Sequence, residues 1–139
     1  MTFPSLISPV DAHAARNADP SIVYLDVRTP EEFAAGHAPS AINIPILFMS
    51  PATGRSANPL FLEACRKFVP QDVPIIVGCL SGNRSMQAIT IMRGEGWTQL
   101  ANLVGGFLGG PGLAGWTQCN LPVAKDGTTW DSVRTQAGL

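Results

Sequence analysis

The segment PIIVGCLSGNRSMQAI, residues 74–89, holds the side chains with the clearest chemical potential. A short apolar run leads into Cys79, a loop containing Gly82 follows, and helical spacing begins near Asn83. That order sets a thiol beneath a helix N-terminus, where unpaired N–H groups and the positive end of the macrodipole favour an anion. The thiolate is the reactive form of cysteine, so Cys79 reads as a nucleophile. Backbone N–H groups of Leu80, Ser81, Gly82, Asn83 and Arg84 can curl into an anion-holding nest around the sulfur, with Gly82 taking whatever backbone angle the curl requires. Arg84 adds a fixed positive charge at the rim. Ser81 and Ser85 are each candidates to donate a hydrogen bond to a charged sulfur, although Ser85 serves equally well to satisfy the start of its helix. The competing reading of Cys79 is a small buried core residue, which suits an isolated cysteine after a hydrophobic strand. A core thiol, however, does not need a glycine three residues on, an arginine five on and serines beside them.

No other residue has a comparable setting. Cys65 falls on the apolar stripe of a helix and Cys119 has no charged neighbour to activate it, so both are expected to be inert. The three cysteines form no CxxC pair, and the chain has only two histidines. Such a set offers no adequate ligands for a metal, and none is expected. Asp26 and Arg28, at the end of an apolar run, are expected to pair with each other or with Glu32, in a structural role. His37 follows Gly36 in a turn and is expected to bond to backbone.

The elements that hold these residues follow from the hydrophobic pattern. Residues 22–27 and 74–78 are continuous apolar runs, as expected of strands covered on both faces in a parallel sheet. Weaker strands are expected at 6–8, 41–44 and 100–104. Thr29, Pro30, Glu31 and Glu32 supply an N-cap, a proline at the first helical position and an acidic first turn, and Gly36 ends that helix. Residues 58–68 place Leu60, Phe61, Ala64, Cys65 and Phe68 on one stripe, and Ser85, Ala88, Ile89 and Met92 recur at helical spacing. Alternating strands and helices predict an α/β domain with helices on both faces of a mostly parallel sheet, whose chemistry gathers at the strands' carboxyl ends. Residues 46–60 and 105–115 are expected to be long surface loops. The latter has six glycines but lacks the spacing of a dinucleotide fingerprint. Residues 125–139 show few core candidates beyond Trp130 and are expected to be loosely held.

Composition narrows the field further. The 139 residues suit one domain, and a 45% hydrophobic share supplies a core without help from disulfides or a metal. Nine basic and ten acidic side chains give a net charge of −1, with no charge run fit to track a phosphate backbone, so nucleic-acid binding is not expected. Prolines interrupt every apolar stretch well before the ~20 residues of a bilayer span. The first ten residues lack a basic start and a long apolar segment, which leads to the expectation of a cytoplasmic chain.

Two motifs together resemble the rhodanese family. CLSGNRS, followed by AITIMRGEGW, NLVGGF and GWTQCNLPV, is similar to the second half of a rhodanese domain, and YLDVRTPEEFAAGHAPSAINIP is similar to its first signature. The likeness runs from about residue 7 to residue 123, leaving 124–139 as a tail, and its one departure is the inserted LGGPGLA between Phe107 and Trp116. The resemblance implies a three-layer α/β rhodanese-like domain with a five-stranded, mostly parallel sheet. It also implies a sulfurtransferase with Cys79 as catalytic residue and no cofactor.

Leu80, Ser81, Gly82, Asn83, Arg84 and Ser85 are expected to bind the substrate, and Phe107 and Trp116 to line a pocket wall or the core. Four residues separate Cys79 from Arg84, one fewer than in the related phosphatases, which makes phosphatase chemistry the weaker expectation. The expected partners are a small anionic sulfur donor, with thiosulfate leading, and a cyanide or thiol acceptor, a protein thiol included. The chain is expected to act as a monomer. A persulfide carrier or partner-binding module with little turnover of small donors is the alternative.

Overall fold

A computed structural model describes residues 3–139. Five strands form one parallel sheet: β1 (Leu6–Ile7), β2 (Val23–Asp26), β3 (Ile42–Asn43), β6 (Ile75–Gly78) and β7 (Leu100–Leu103), in the order β1-β7-β6-β2-β3. Register sets Asp26 beside Gly78 and Val77 beside Asn102, so the ends of β2, β6 and β7 come level at the sheet's carboxyl edge.

Alternation along the strands sends their side chains into two cores. Leu25, Val27, Ile75 and Val77 pack on one face under α3 (Phe61–Phe68), α4 (Asn83–Gly94) and α5 (Trp130–Ala137). Tyr24, Ile76, Ala101 and Leu103 pack on the other, with Ala12 of α1 (Pro9–Ala18) and Phe33 of α2 (Pro30–Ala35). This is the three-layer α/β arrangement expected, and apolar runs without alternation are its direct cause, since both faces are covered. The local signals for α2 hold in detail: Pro30 opens the helix, Thr29 and Glu32 form a reciprocal capping box, and Gly36 follows the last turn.

Two expectations require correction. Residues 46–60 are not an irregular loop, because β4 (Leu47–Ser50) and β5 (Gly54–Ala57) pair as an antiparallel hairpin. Its second strand is exposed throughout and built of small or polar residues, so backbone pairing forms it without an apolar signature. Leu47 and Phe48 nevertheless pack against the core. Residues 125–139 are not loose either. Thr129 caps α5, Trp130 and Val133 are buried, and Gly138 closes the helix with φ +72°. The approach to α5 is tied down as well: His37 and Ala124 exchange two backbone hydrogen bonds of 2.8 and 2.7 Å. The signal was weak because this short helix needs only two buried side chains to dock.

Candidate active site

Cys79 directly follows β6 and is 2% exposed. The chain then turns through Gly82, whose φ of +119° a side chain rarely adopts, and α4 begins at Asn83. This turn aims the Gly82 N–H at the Cys79 Sγ, 3.0 Å away. Ser85, in the first turn of α4 and fully buried, brings its Oγ to 3.3 Å from the same sulfur. Of the two serines, Ser85 therefore reaches the thiol, while Ser81 is exposed and makes no side-chain hydrogen bond among the described residues. Leu80 is partly buried beside the thiol and Asn83 is exposed.

The glycine-rich segment after β7 holds this loop by main-chain contacts. Phe107 N–H donates to the Cys79 carbonyl at 2.8 Å and Leu108 N–H to the Leu80 carbonyl at 3.1 Å. Gly106 makes the approach possible: its φ is +61°, and a Cβ there would lie within 2.7 Å of the Leu80 and Cys79 carbonyl groups. The segment is irregular, as expected, but its first part is a clamp on the active loop.

Leu80, next to Cys79 in the chain, borders a cleft of about 330 Å³ that is also lined by Arg28, Glu32, Ala35, Phe107 and Leu108. Phe107 forms part of its wall. Trp116 instead belongs to the core, fully buried, with its Nε1–H donating to the Pro122 carbonyl at 2.8 Å.

Each cation at this mouth has a carboxylate partner. Arg84 makes two bonds to Glu32, of 2.6 and 3.0 Å, and Glu32 also accepts from the Thr29 N–H. Burial opposes ionisation of Glu32, but the Arg84 guanidinium and the Thr29 donors outweigh it and hold the carboxyl at about 2. The same hydrogen bond to Glu32 raises Arg84 above its ordinary value. Arg28 is buried against Asp26, with Nη2 2.9 Å from Oδ2, and its guanidinium lies 4.3 Å from the centre of the Phe107 ring. Asp26 and Arg28 thus pair with each other, as expected.

The remaining residues sort clearly. His37 contacts the Phe33 carbonyl at 2.8 Å through one ring nitrogen and the Asp126 carbonyl through the other, so neither is free for proton transfer. Cys65 is wholly buried, and desolvation pushes its thiol up, away from the reactive form. Cys119 lies in a 3-10 turn (Thr117–Cys119), away from the loop's hydrogen bonds. The sequence reading missed Asn102, which contacts the Ser85 hydroxyl through Oδ1, and the Glu32–Arg84 pairing. A lone asparagine in the middle of the apolar run LANLV was the available signal for the first.

Comparison with known proteins adds family information. The family model described as "Rhodanese-like domain" matches residues 9–110. "Thiosulfate sulfurtransferase 16, chloroplastic" of Arabidopsis thaliana is 46% identical over 99 residues, covering 71% of this chain and 77% of that protein. "Rhodanese-like domain-containing protein 15, chloroplastic", also from Arabidopsis thaliana, is 38% identical over 102 residues, covering 73% of this chain but 52% of that protein. The crystal structure of Rv0390 from M. tuberculosis superposes with a TM-score of 0.71 at 25% identity, covering 90% of this chain and all of the other.

Proposed function

Because the chain belongs to the rhodanese-like domain family, we propose that it is a sulfurtransferase in which Cys79 carries the sulfur as a persulfide. A relative named as a thiosulfate sulfurtransferase supports sulfur transfer in general, with thiosulfate as the small donor to test. The observation that carries the proposal is the Cys79 Sγ with the Gly82 N–H 3.0 Å away at the start of α4, in a loop whose next residue, Leu80, lines a cleft.

The thiolate attacks the outer sulfur of thiosulfate, the S–S bond of thiosulfate breaks, and sulfite leaves with the bonding pair. A Cys79 persulfide anion remains. Cyanide or a thiolate acceptor then attacks its terminal sulfur, and Cys79 departs as a thiolate, giving two half-reactions with ping-pong kinetics. No proton is removed at either step once the thiol is ionised, so the reaction needs no general base, and the engaged His37 is not called upon. The Gly82 N–H supports negative charge at Cys79 in both half-reactions.

A second reading draws on the pairing of Arg84 with Glu32 and of Arg28 with Asp26, which leaves neither arginine unshared for a dianion. A persulfide carrier receiving sulfur from another protein's thiol needs no such charge. Mass spectrometry of the protein after incubation with thiosulfate tests both. The proposal expects one added sulfur on the Cys79 peptide, lost with thiocyanate formation when cyanide is added. It expects no addition in Cys79→Ser, and normal addition in Cys65→Ser and Cys119→Ser. Sulfur accepted from a protein persulfide but not from thiosulfate would select the carrier reading. Thiocyanate formation surviving in Cys79→Ser would overturn both.

A further inference from the structure

Ser85 Oγ occupies a junction with more acceptors around it than it has hydrogens. It lies 3.3 Å from Cys79 Sγ, 3.1 Å from the Gly82 carbonyl oxygen, and in contact with Oδ1 of Asn102. A serine hydroxyl has one hydrogen to give and two lone pairs to offer. With Cys79 as a neutral thiol the arrangement closes without conflict: S–H donates to Ser85 Oγ, and the hydroxyl hydrogen goes to Asn102 or Gly82.

A thiolate or a persulfide anion reverses the demand, because the sulfur is then an acceptor only. The Ser85 hydroxyl must turn its hydrogen to the sulfur, which leaves its lone pair facing another acceptor, Asn102 Oδ1. Half a turn of the Asn102 amide replaces Oδ1 by Nδ2, whose N–H donates to Ser85 Oγ and frees the hydroxyl hydrogen for the sulfur. No other side-chain hydrogen bond among the described residues holds the Asn102 amide against that rotation. Among the described residues Asn102 Nδ2 has no hydrogen-bond partner, whereas the Asn102 backbone is fixed in β7, its N–H donating to the Ser5 carbonyl at 2.9 Å and its register set opposite Val77 of β6. Asn102 is 8% exposed and its Nδ2 is not sealed from solvent, so after the turn Oδ1 takes a position where water can donate to it. A buried polar side chain on a central strand of an apolar sheet otherwise lacks a reason to be there.

We propose that Asn102 is a positioning residue that acts through Ser85, its amide turning so that the hydroxyl donates to Cys79 whenever the sulfur is anionic. This rests on Cys79 being the sulfur-bearing nucleophile, and it names the group that adapts the site to charge. The other ionisable groups around Cys79 are Tyr24, the Asp26–Arg28 pair and the Glu32–Arg84 pair, and none of them touches Ser85 Oγ.

The test is the pH dependence of Cys79 alkylation by iodoacetamide, followed on its own peptide, for Asn102→Leu and Asn102→Asp in the native and Ser85→Ala backgrounds. Asn102→Leu should move the half-maximal pH upward by about half to one unit in the native background, a modest change beside known thiol perturbations. In Ser85→Ala it should move it little, since the intermediary is gone. Asn102→Asp brings an acceptor with a charge, so its upward shift should be larger with Ser85 present than without it. This comparison stands if the leucine variant fails to fold. Equal shifts in the two backgrounds, or no shift in either, would overturn the proposal. Alkylation reports on the sulfur itself, so a failure of sulfur transfer from thiosulfate would count against the proposed function and leave this result standing.

Discussion

Arg84 and Glu32 face each other at the mouth of the cleft, and their bidentate contact governs what charge a substrate meets. Arg84 lies near the rim, where its place five residues after Cys79 puts it, but its partner comes from a residue 52 positions earlier. An arginine so matched attracts a dianion less strongly than a lone one, because the neighbouring carboxylate repels it. Glu32→Gln should therefore lower KM for thiosulfate several-fold with little change in kcat, while its amide oxygen still accepts from Thr29. Added neutral salt should erase most of the gain by screening. Steady-state kinetics of both proteins at low and high salt check this, and an unchanged or raised KM in the variant would show that Glu32 does not oppose the donor.

Between β7 and the 3-10 turn, the glycine segment acts on the loop through atoms every residue possesses, and the glycines matter only where space or backbone angle demands them. Gly106 and Gly112 make a matched comparison. Both have positive φ, +61° and +73°, but a Cβ on Gly106 meets two carbonyl groups whereas one on Gly112 meets nothing within 4 Å. Gly112→Ala should cost about 1 kcal/mol of stability and leave sulfur transfer intact. Gly106→Ala should cost about 1–3 kcal/mol and displace the loop, lowering transfer at least ten-fold. Denaturant titration with single-turnover transfer distinguishes them, and equal losses of transfer would contradict the clamp.

Legibility in the sequence follows the same division between side-chain and main-chain signals. The buried strands β2 and β6, the capped α2 and the Cys79 loop announce themselves through apolar runs, a capping box and the strand–glycine–helix order. The β4–β5 hairpin and α5 do not, because one is held by backbone pairing of small polar residues and the other by two buried side chains. Asn102 was hidden for a third reason: its meeting with Ser85, 17 residues earlier, depends on the register of β6 and β7 and the start of α4.

Taken whole, the molecule is a sheet with separate cores on its two faces, and the Glu32–Arg84 pair joins α2 of one layer to α4 of the other over the carboxyl edge. The join is sensitive to acid in a direction fixed by Glu32. Its carboxyl titrates at an ordinary 4.5 when unfolded and at about 2 when folded, so below 4.5 the unfolded chain takes up a proton that the folded one refuses. The stabilisation is complete above that value and is lost as the pH falls toward 2. Native protein should thus lose urea resistance more steeply than Glu32→Gln across this window, and parallel declines of the two midpoints would place the acid sensitivity elsewhere.

The clamp on the active loop also bears on how freely this protein can vary. The loop's shape is specified by the Cys79 and Leu80 carbonyls, the Gly82 amide and the Gly106 gap, none of which depends on the side chains of Leu80, Ser81 or Asn83. Ser81 and Asn83 point into solvent and Leu80 borders the cleft. The seat of the Cys79 sulfur and the surface around it are therefore encoded in different atoms of the same short stretch. Mutational drift, or a directed library, can rewrite the cleft's lining at Leu80 and the surface beside it at Ser81 and Asn83 while Cys79 keeps its seat.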